Sequence, residues 1–151
     1  MVNNKAGFSL IELMVVIAII AFLASLGTPV YFKYLAKAKQ SEVVINLASI
    51  HTAEQMYFAE HGTYNSNLNE IGWKPAGKNL YTYGFNTPDS EEGKHFFVGK
   101  QNTSKSNLKK SSLTKSGFIA SAAADITGKG KMDIWTIDEN RSIEHIQDGI
   151  N

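Results

Sequence analysis

In KAGFSLIELMVV, Lys5 to Val16, a carboxylate, Glu12, stands four residues after Phe8 at the head of an apolar run with no other charge from Leu13 to Phe32. An ionisable side chain at the centre of a bilayer-inserted helix costs on the order of 3 kcal/mol even on the gentlest scale. A position near the headgroups lowers that cost, and the N-terminal end of a helix dipole returns ~0.3 to 1 kcal/mol. These terms only soften the cost, so Glu12 needs a full positive charge within reach.

Other groupings fit chemistry less well. DITGKGKMD, Asp125 to Asp133, has the outline of a calcium loop with Gly130 at the turn. Thr127 and Lys129 replace two expected carboxylates, however, and Thr136 stands where a bidentate Glu belongs. A Gly-rich turn feeding DIWTID is the favoured reading, with no metal site assigned and a bound ion as the alternative. His51, His61, His95 and His145 show neither metal-ligand spacing nor a paired nucleophile and read as surface or sheet-edge residues. With no cysteine, disulfides, thiol nucleophiles and thiolate metal sites are excluded. No catalytic residue and no cofactor is expected.

The 151 residues suffice for one domain plus an anchor, and 15 basic against 14 acidic side chains point to no particular charged partner. Phe8 to Phe32 as a helix would extend roughly 37 Å at about 1.5 Å per residue, enough to cross the roughly 30 Å hydrocarbon core. A secretory signal is the rival reading, with Ser25-Leu26-Gly27 as the cleavage site and Thr28 as the new terminus. Lys33, Lys37 and Lys39 follow the run and only Lys5 precedes it, so a literal charge count would keep the bulk of the chain in the cytoplasm. Beyond the run, Val43, Leu47, Ile50, Ala53 and Tyr57 recur at helical spacing, which predicts one helix from about Ser9 to about Glu60. Gly62 follows as the C′ residue, and Gly27 and Pro29 should interrupt or bend the helix.

Short β-type runs follow at 80–85, 95–99, 117–124, 133–138 and 142–146, the last two forming a hairpin across Glu139-Asn140-Arg141. The expected fold class is α+β, with the C-terminal half of a long N-terminal helix packed on a four- or five-stranded antiparallel sheet. The alanines of GFIASAAA suit a strand close beneath that helix. Lys100 to Ser116, with five lysines and no acids, reads as a long solvated loop, able to touch an anionic surface or DNA but lacking interleaved aromatic residues.

GFSLIELMVVIAIIAFLASLGTP closely resembles the class III signal and N-terminal helix of type IV pilins and pseudopilins, and AEQMYFAEHGTYNSNLNEIGW and MDIWTID resemble them more weakly. The resemblance implies a leader at residues 1–7, a transmembrane and assembly segment at 8–32, and an amphipathic helix half plus sheet domain at 33–151. It implies that a prepilin peptidase cuts between Gly7 and Phe8 and N-methylates Phe8. The freed amine, with an unperturbed pKa of about 8, is then the missing partner of Glu12, its own or a neighbour's. The implied orientation places the N-terminus inside, against the literal lysine count.

By resemblance the chain is a structural subunit, not an enzyme. It leaves the inner membrane for an extracellular homopolymer through the pilus assembly machinery, and supports motility, adhesion or DNA uptake. Phe8 and Glu12 would mediate assembly, and Gly27 and Pro29 would mark where the helix loses regularity in the filament. A pseudopilin of a type II secretion system and a membrane-anchored or secreted ligand-binding domain are the alternatives.

Overall fold

A computed structural model describes residues 7–150, so the expected leader lies outside the described residues apart from Gly7. The chain divides into two compact units, Met1–Leu35 and Ala36–Asn151. One helix, α1 (Leu10–His61), supplies most of the first unit and enters the second. It ends as expected: Gly62 takes φ +69°, a conformation that favours glycine, and its N–H donates to the Phe58 carbonyl at 2.8 Å.

Of the interruption or bend expected at Gly27 and Pro29, the interruption does not occur: α1 runs through both residues as continuous helix. Pro29 has no N–H for the Ser25 carbonyl, but neighbouring turns hold and Thr28 Oγ1 donates back to the Ala24 carbonyl at 2.7 Å. In this first unit every described residue is exposed.

The second unit contains the sheet. Its strands are β1 (Thr82–Gly84), β2 (Phe96–Phe97), β3 (Ser112–Leu113), β4 (Phe118–Ala124), β5 (Asp133–Asp138) and β6 (Ile143–Gln147). All pair antiparallel in the order β2-β1-β4-β5-β6, and β3 pairs the start of β4 on the side that β1 occupies further along. This is the expected α+β architecture, with β3 as a strand inside the segment read as loop. Gly84 is required where it stands: at φ +134° a Cβ would collide with the His95 carbonyl and the Phe96 backbone.

Because strand side chains alternate, the sheet has two apolar faces. One buries Val43, Leu47 and Ile50 of α1 against Tyr83, Ala120, Ala122 and Ile137, and the small alanines let the helix sit close, as expected. The other gathers Phe96, Ala123 and Ile134 under Leu108. The lysine-rich segment is therefore not solvated throughout. Thr103 and Leu108 are buried, Ser104 caps a short 3-10 turn at Lys105–Asn107, and Thr82 Oγ1 donates to the Thr103 carbonyl at 2.7 Å.

Three carboxylates turn inward. Glu42 Oε1 accepts from the Leu80 N–H at 2.8 Å and from the Tyr83 hydroxyl at 3.0 Å. Glu54 is fully buried; its Oε2 accepts from the Asn65 N–H at 3.2 Å, while Oε1 has no partner among the described residues. Burial pushes the Glu54 carboxyl up to about 7, against the smaller opposing effect of the Asn65 amide.

Asp133, also fully buried, joins α1, β5, β6 and the segments at Tyr81 and Gly149. Oδ2 accepts from the Tyr81 hydroxyl at 2.6 Å and the Trp135 indole at 2.7 Å. Oδ1 accepts from Gln40 at 3.0 Å and the Gly149 N–H at 2.9 Å, and lies 2.9 Å from His145 Nε2. Burial alone would raise its carboxyl; the Gly149 amide, Tyr81, His145 and Trp135 outweigh burial and hold it below the usual carboxylate range. Burial of the Tyr81 phenol beside this anion pushes that group strongly upward.

Two outcomes follow from these buried acids. Glu54 binds its proton more tightly folded than unfolded, so its contribution to stability is fullest below about pH 4.5 and falls as pH rises toward 7, by up to ~3 kcal/mol at ~1.4 kcal/mol per pH unit. Glu54→Gln should flatten that decline and raise the urea midpoint at about pH 8; an unchanged pH profile in the full chain would refute the assignment. Asp133 works with the opposite sign, its contribution being present above the unfolded carboxylate pKa and lost as pH falls through the depressed folded value. Asp133→Ala leaves its donors without an acceptor and should cost about 3–5 kcal/mol at neutral pH, read as a lowered urea midpoint.

Candidate functional site

Phe8, Glu12, Gly27 and Pro29 all fall in the first unit. Phe8 is 77% exposed and shares a shallow apolar concavity with Ile11, Glu12, Val15 and Val16. Gly27 and Pro29 stand well apart from this group, Gly27 about 22 Å further along α1 at 1.5 Å per residue. No atom would meet a Cβ at Gly27 within 4 Å.

Glu12 has a local partner that the reading of the sequence missed. Ser9 precedes the first helical residue, and Glu12 Oε2 accepts from both the Ser9 N–H and the Ser9 hydroxyl at 2.9 Å. The Glu12 N–H donates to Ser9 Oγ at 3.2 Å. This reciprocal pair is a capping box, written in the sequence as Ser-x-x-Glu, and it satisfies donors that a helix start leaves open. Both side-chain bonds fall on Oε2, which leaves Oε1 to receive a further donor. Glu12 can thus close the helix end and accept a cation at once.

The apolar surface around it is extensive. Leu10, Ile11, Leu13, Met14, Ile17, Ile19, Ile20, Phe22 and Leu23 are each more than half exposed. By length and composition α1 can cross a membrane. At ~25 cal/mol per Å² of apolar surface, such a face has a strong tendency to be covered by lipid or by other apolar helices.

The calcium-like loop is closed by its own backbone. Asp125 accepts from the N–H groups of Gly128 at 2.8 Å, Lys129 at 3.2 Å and Gly130 at 2.7 Å. Burial opposes ionisation of Asp125, but these amides prevail and hold its carboxyl below the usual range.

The ligand atoms of Asp133, His145 and Asp148 lie within 4.8 Å of one another, a grouping that the scattered histidines did not announce. His145 stacks on Trp135 at 3.8 Å between centroids. The lone pairs of Asp133 are already shared among protein donors, so this geometry fits a hydrogen-bonded hub better than a cation site. His51, likewise read as a surface or sheet-edge residue, contacts the Glu139 carbonyl at 3.1 Å and ties α1 to the β5–β6 turn.

Two family models match the chain. Residues 2–28 match the prokaryotic N-terminal methylation motif and residues 34–107 match type IV pilin PilA. The type IV major pilin protein PilA of Myxococcus xanthus is 46% identical over 80 residues, 53% of this chain and 36% of that protein. The prepilin peptidase-dependent protein D of Escherichia coli is 43% identical over 60 residues, 40% of this chain and 41% of that protein. Several relatives are thus matched over less than half of their length. A type IV major pilin protein PilE1 of Neisseria gonorrhoeae is 30% identical over 140 residues, 93% of this chain and 73% of that protein. An alignment this nearly complete, joined to the methylation motif and to a long helix packed on an antiparallel sheet, shows that the chain belongs to the type IV pilin family.

Proposed function

We propose that the chain is the structural major subunit of a type IV pilus. It is made as a single-pass inner-membrane precursor, cut between Gly7 and Phe8 by a prepilin peptidase, N-methylated at Phe8 and polymerised through its N-terminal helix. The observation that carries this reading is the wholly exposed apolar stretch of α1, most of which lies within the residues matched by the methylation motif. A bilayer covers that surface first and copies of the same helix cover it afterwards. Major pilins among the relatives support the filament, and the name of the Escherichia coli relative supports peptidase dependence. The filament then serves motility, adhesion or DNA uptake.

In this reading Glu12 keeps Oε2 on Ser9 and receives the new amine on Oε1, from its own Phe8 or a neighbour's. Methylation leaves that amine cationic. Gly27 and Pro29 form a weak point at which α1 gives up regular structure within the filament, a transition eased by the hydrogen bond that Pro29 cannot make.

Intact mass of the mature chain should show loss of residues 1–7 and gain of one methyl group. A start at Thr28 would establish a secreted domain instead, and a start at Met1 a plain anchor. Glu12→Ala should be processed normally but yield at least about tenfold less filament, the equivalent of ~1.4 kcal/mol. Glu12→Gln preserves an acceptor for Ser9 and removes the charge, so it should fail as Glu12→Ala does; wild-type filament yield from Glu12→Gln would assign the residue to capping alone. Pro29→Ala should give filaments that extend less under force in an optical trap, and equal extension would remove Pro29 from the mechanism.

A further inference from the structure

A groove of about 580 Å³ lies between α1 and the Glu70–Trp73 segment. Ala53, Met56 and Trp73 line it, with Met56 64% exposed and the Trp73 indole fixed by its 2.7 Å hydrogen bond to Ser49 Oγ. Glu60 and Glu70, both exposed, also line it, and no lysine or arginine does so among the described residues. An apolar floor with an acidic rim fits a long side chain that ends in a cation.

The opposite face of the sheet presents such side chains. No acidic residue occurs from Gly93 to Ala124. Within that span Lys94 pairs with Glu91 at 2.5 Å and Lys105 donates to the Ser90 carbonyl at 2.8 Å. Lys109 and Lys110 are exposed, and their ammonium groups have no partner among the described residues. They sit on a held turn. Leu108 before them is 1% exposed, Lys110 takes φ +60°, and Ser111 Oγ donates to the Leu108 carbonyl at 3.0 Å while accepting from the Asn86 N–H at 2.8 Å.

We propose that the Lys109–Lys110 turn of one subunit seats in the acid-rimmed groove of a second copy, the aliphatic stems over Ala53 and Met56 and the ammonium groups at Glu60 and Glu70. This rests on the reading of the chain as a polymer subunit. The groove adjoins the helix-bearing face of the sheet and the turn is anchored on the other face. One partner cannot readily engage both reciprocally, so the contact is heterologous and propagates instead of closing as a two-fold dimer. Exposed ion pairs are individually weak and screened by salt, so the seat sets the register of globular domains along a polymer whose bulk association lies elsewhere.

The absence of cysteine permits a direct test in the full chain. Glu60→Cys and Lys109→Cys combined in one chain, treated with a short bismaleimide in membranes and in sheared filaments, should give a ladder of covalent oligomers; each single variant should not. Independently, Lys109→Glu with Lys110→Glu should reduce recovered filament by about tenfold with the processed membrane pool unchanged, and adding Glu60→Lys should restore about half or more of it. Glu60 is chosen over Glu70 because Glu70 also holds Asn65 and Asn67. Filaments that form without a ladder, or a lysine-reversal loss that Glu60→Lys does not repair, overturn the seat and leave the polymer reading intact. A native chain that forms no filaments overturns the polymer reading, and the ladder in membranes then decides the contact alone.

Discussion

The surface of the first stretch of α1 has no cover among the described residues of its own chain, and the rest of the molecule is arranged around that fact. Every described residue from Gly7 to Leu35 is exposed, and the sequence there is dominated by Leu, Ile, Val, Phe and Ala. A soluble helix would place lysine and glutamate along one side. Here Glu12 is the one charge before Lys33, and it lies in the first turn, where the helix end supplies donors and where an inserted helix would meet the headgroups. Glu12 satisfies a local need through Ser9 while leaving one oxygen for a partner. The proposed processing step supplies that partner at the moment the leader is removed.

The second stretch of α1 must be held firmly if the sheet is to stay packed on it, the more so in the proposed reading, where the first stretch goes to lipid or to other copies. Apolar packing of Val43, Leu47 and Ile50 supplies part of this hold. Inward polar ties supply the rest: Glu42 reaches the start of β1, His51 the β5–β6 turn, and Gln40 the buried Asp133. Asp133 gathers α1, Tyr81, Trp135, β6 and the C-terminal Gly149 around one carboxylate, a task that a disulfide could perform in a chain with cysteine. The hydrogen-bonded version depends on every member, since a buried charge deprived of one donor pays a desolvation penalty.

Much of this was legible in the sequence. The apolar run, the three-and-four spacing from Val43 to Tyr57, Gly62 and the alanine-rich strand each state a local rule that tertiary structure obeyed. Of the interruption or bend expected at Pro29, the interruption did not occur, because one missing N–H in a helix of 52 residues removes one hydrogen bond and leaves the turns on either side intact. The anchoring of Leu108 was obscured by the lysines and serines around it, since a single buried leucine sets no period. Asp133 and His145 are 12 positions apart and meet only because β5 and β6 pair across a bulge. The capping box is written in the sequence as Ser9-x-x-Glu12, so one carboxylate carries both a backbone role and a charge inside an apolar run.

Charge distribution joins the two ends of the structure. Removal of residues 1–7 would take away one lysine, so that 15 minus 1 leaves 14 basic against 14 acidic side chains. A repeating polymer of strongly charged subunits accumulates self-repulsion along its length, whereas a neutral subunit does not. Neutrality overall still permits segregation within the subunit. The helix turns Glu42 and Glu54 inward, the groove keeps Glu60 and Glu70 at its edge, and the acid-free span from Gly93 to Ala124 carries its lysines on a separately anchored surface. Such a subunit can be attracted to its neighbour in one orientation without being repelled by the assembly as a whole, which is the electrostatic condition for an open heterologous polymer.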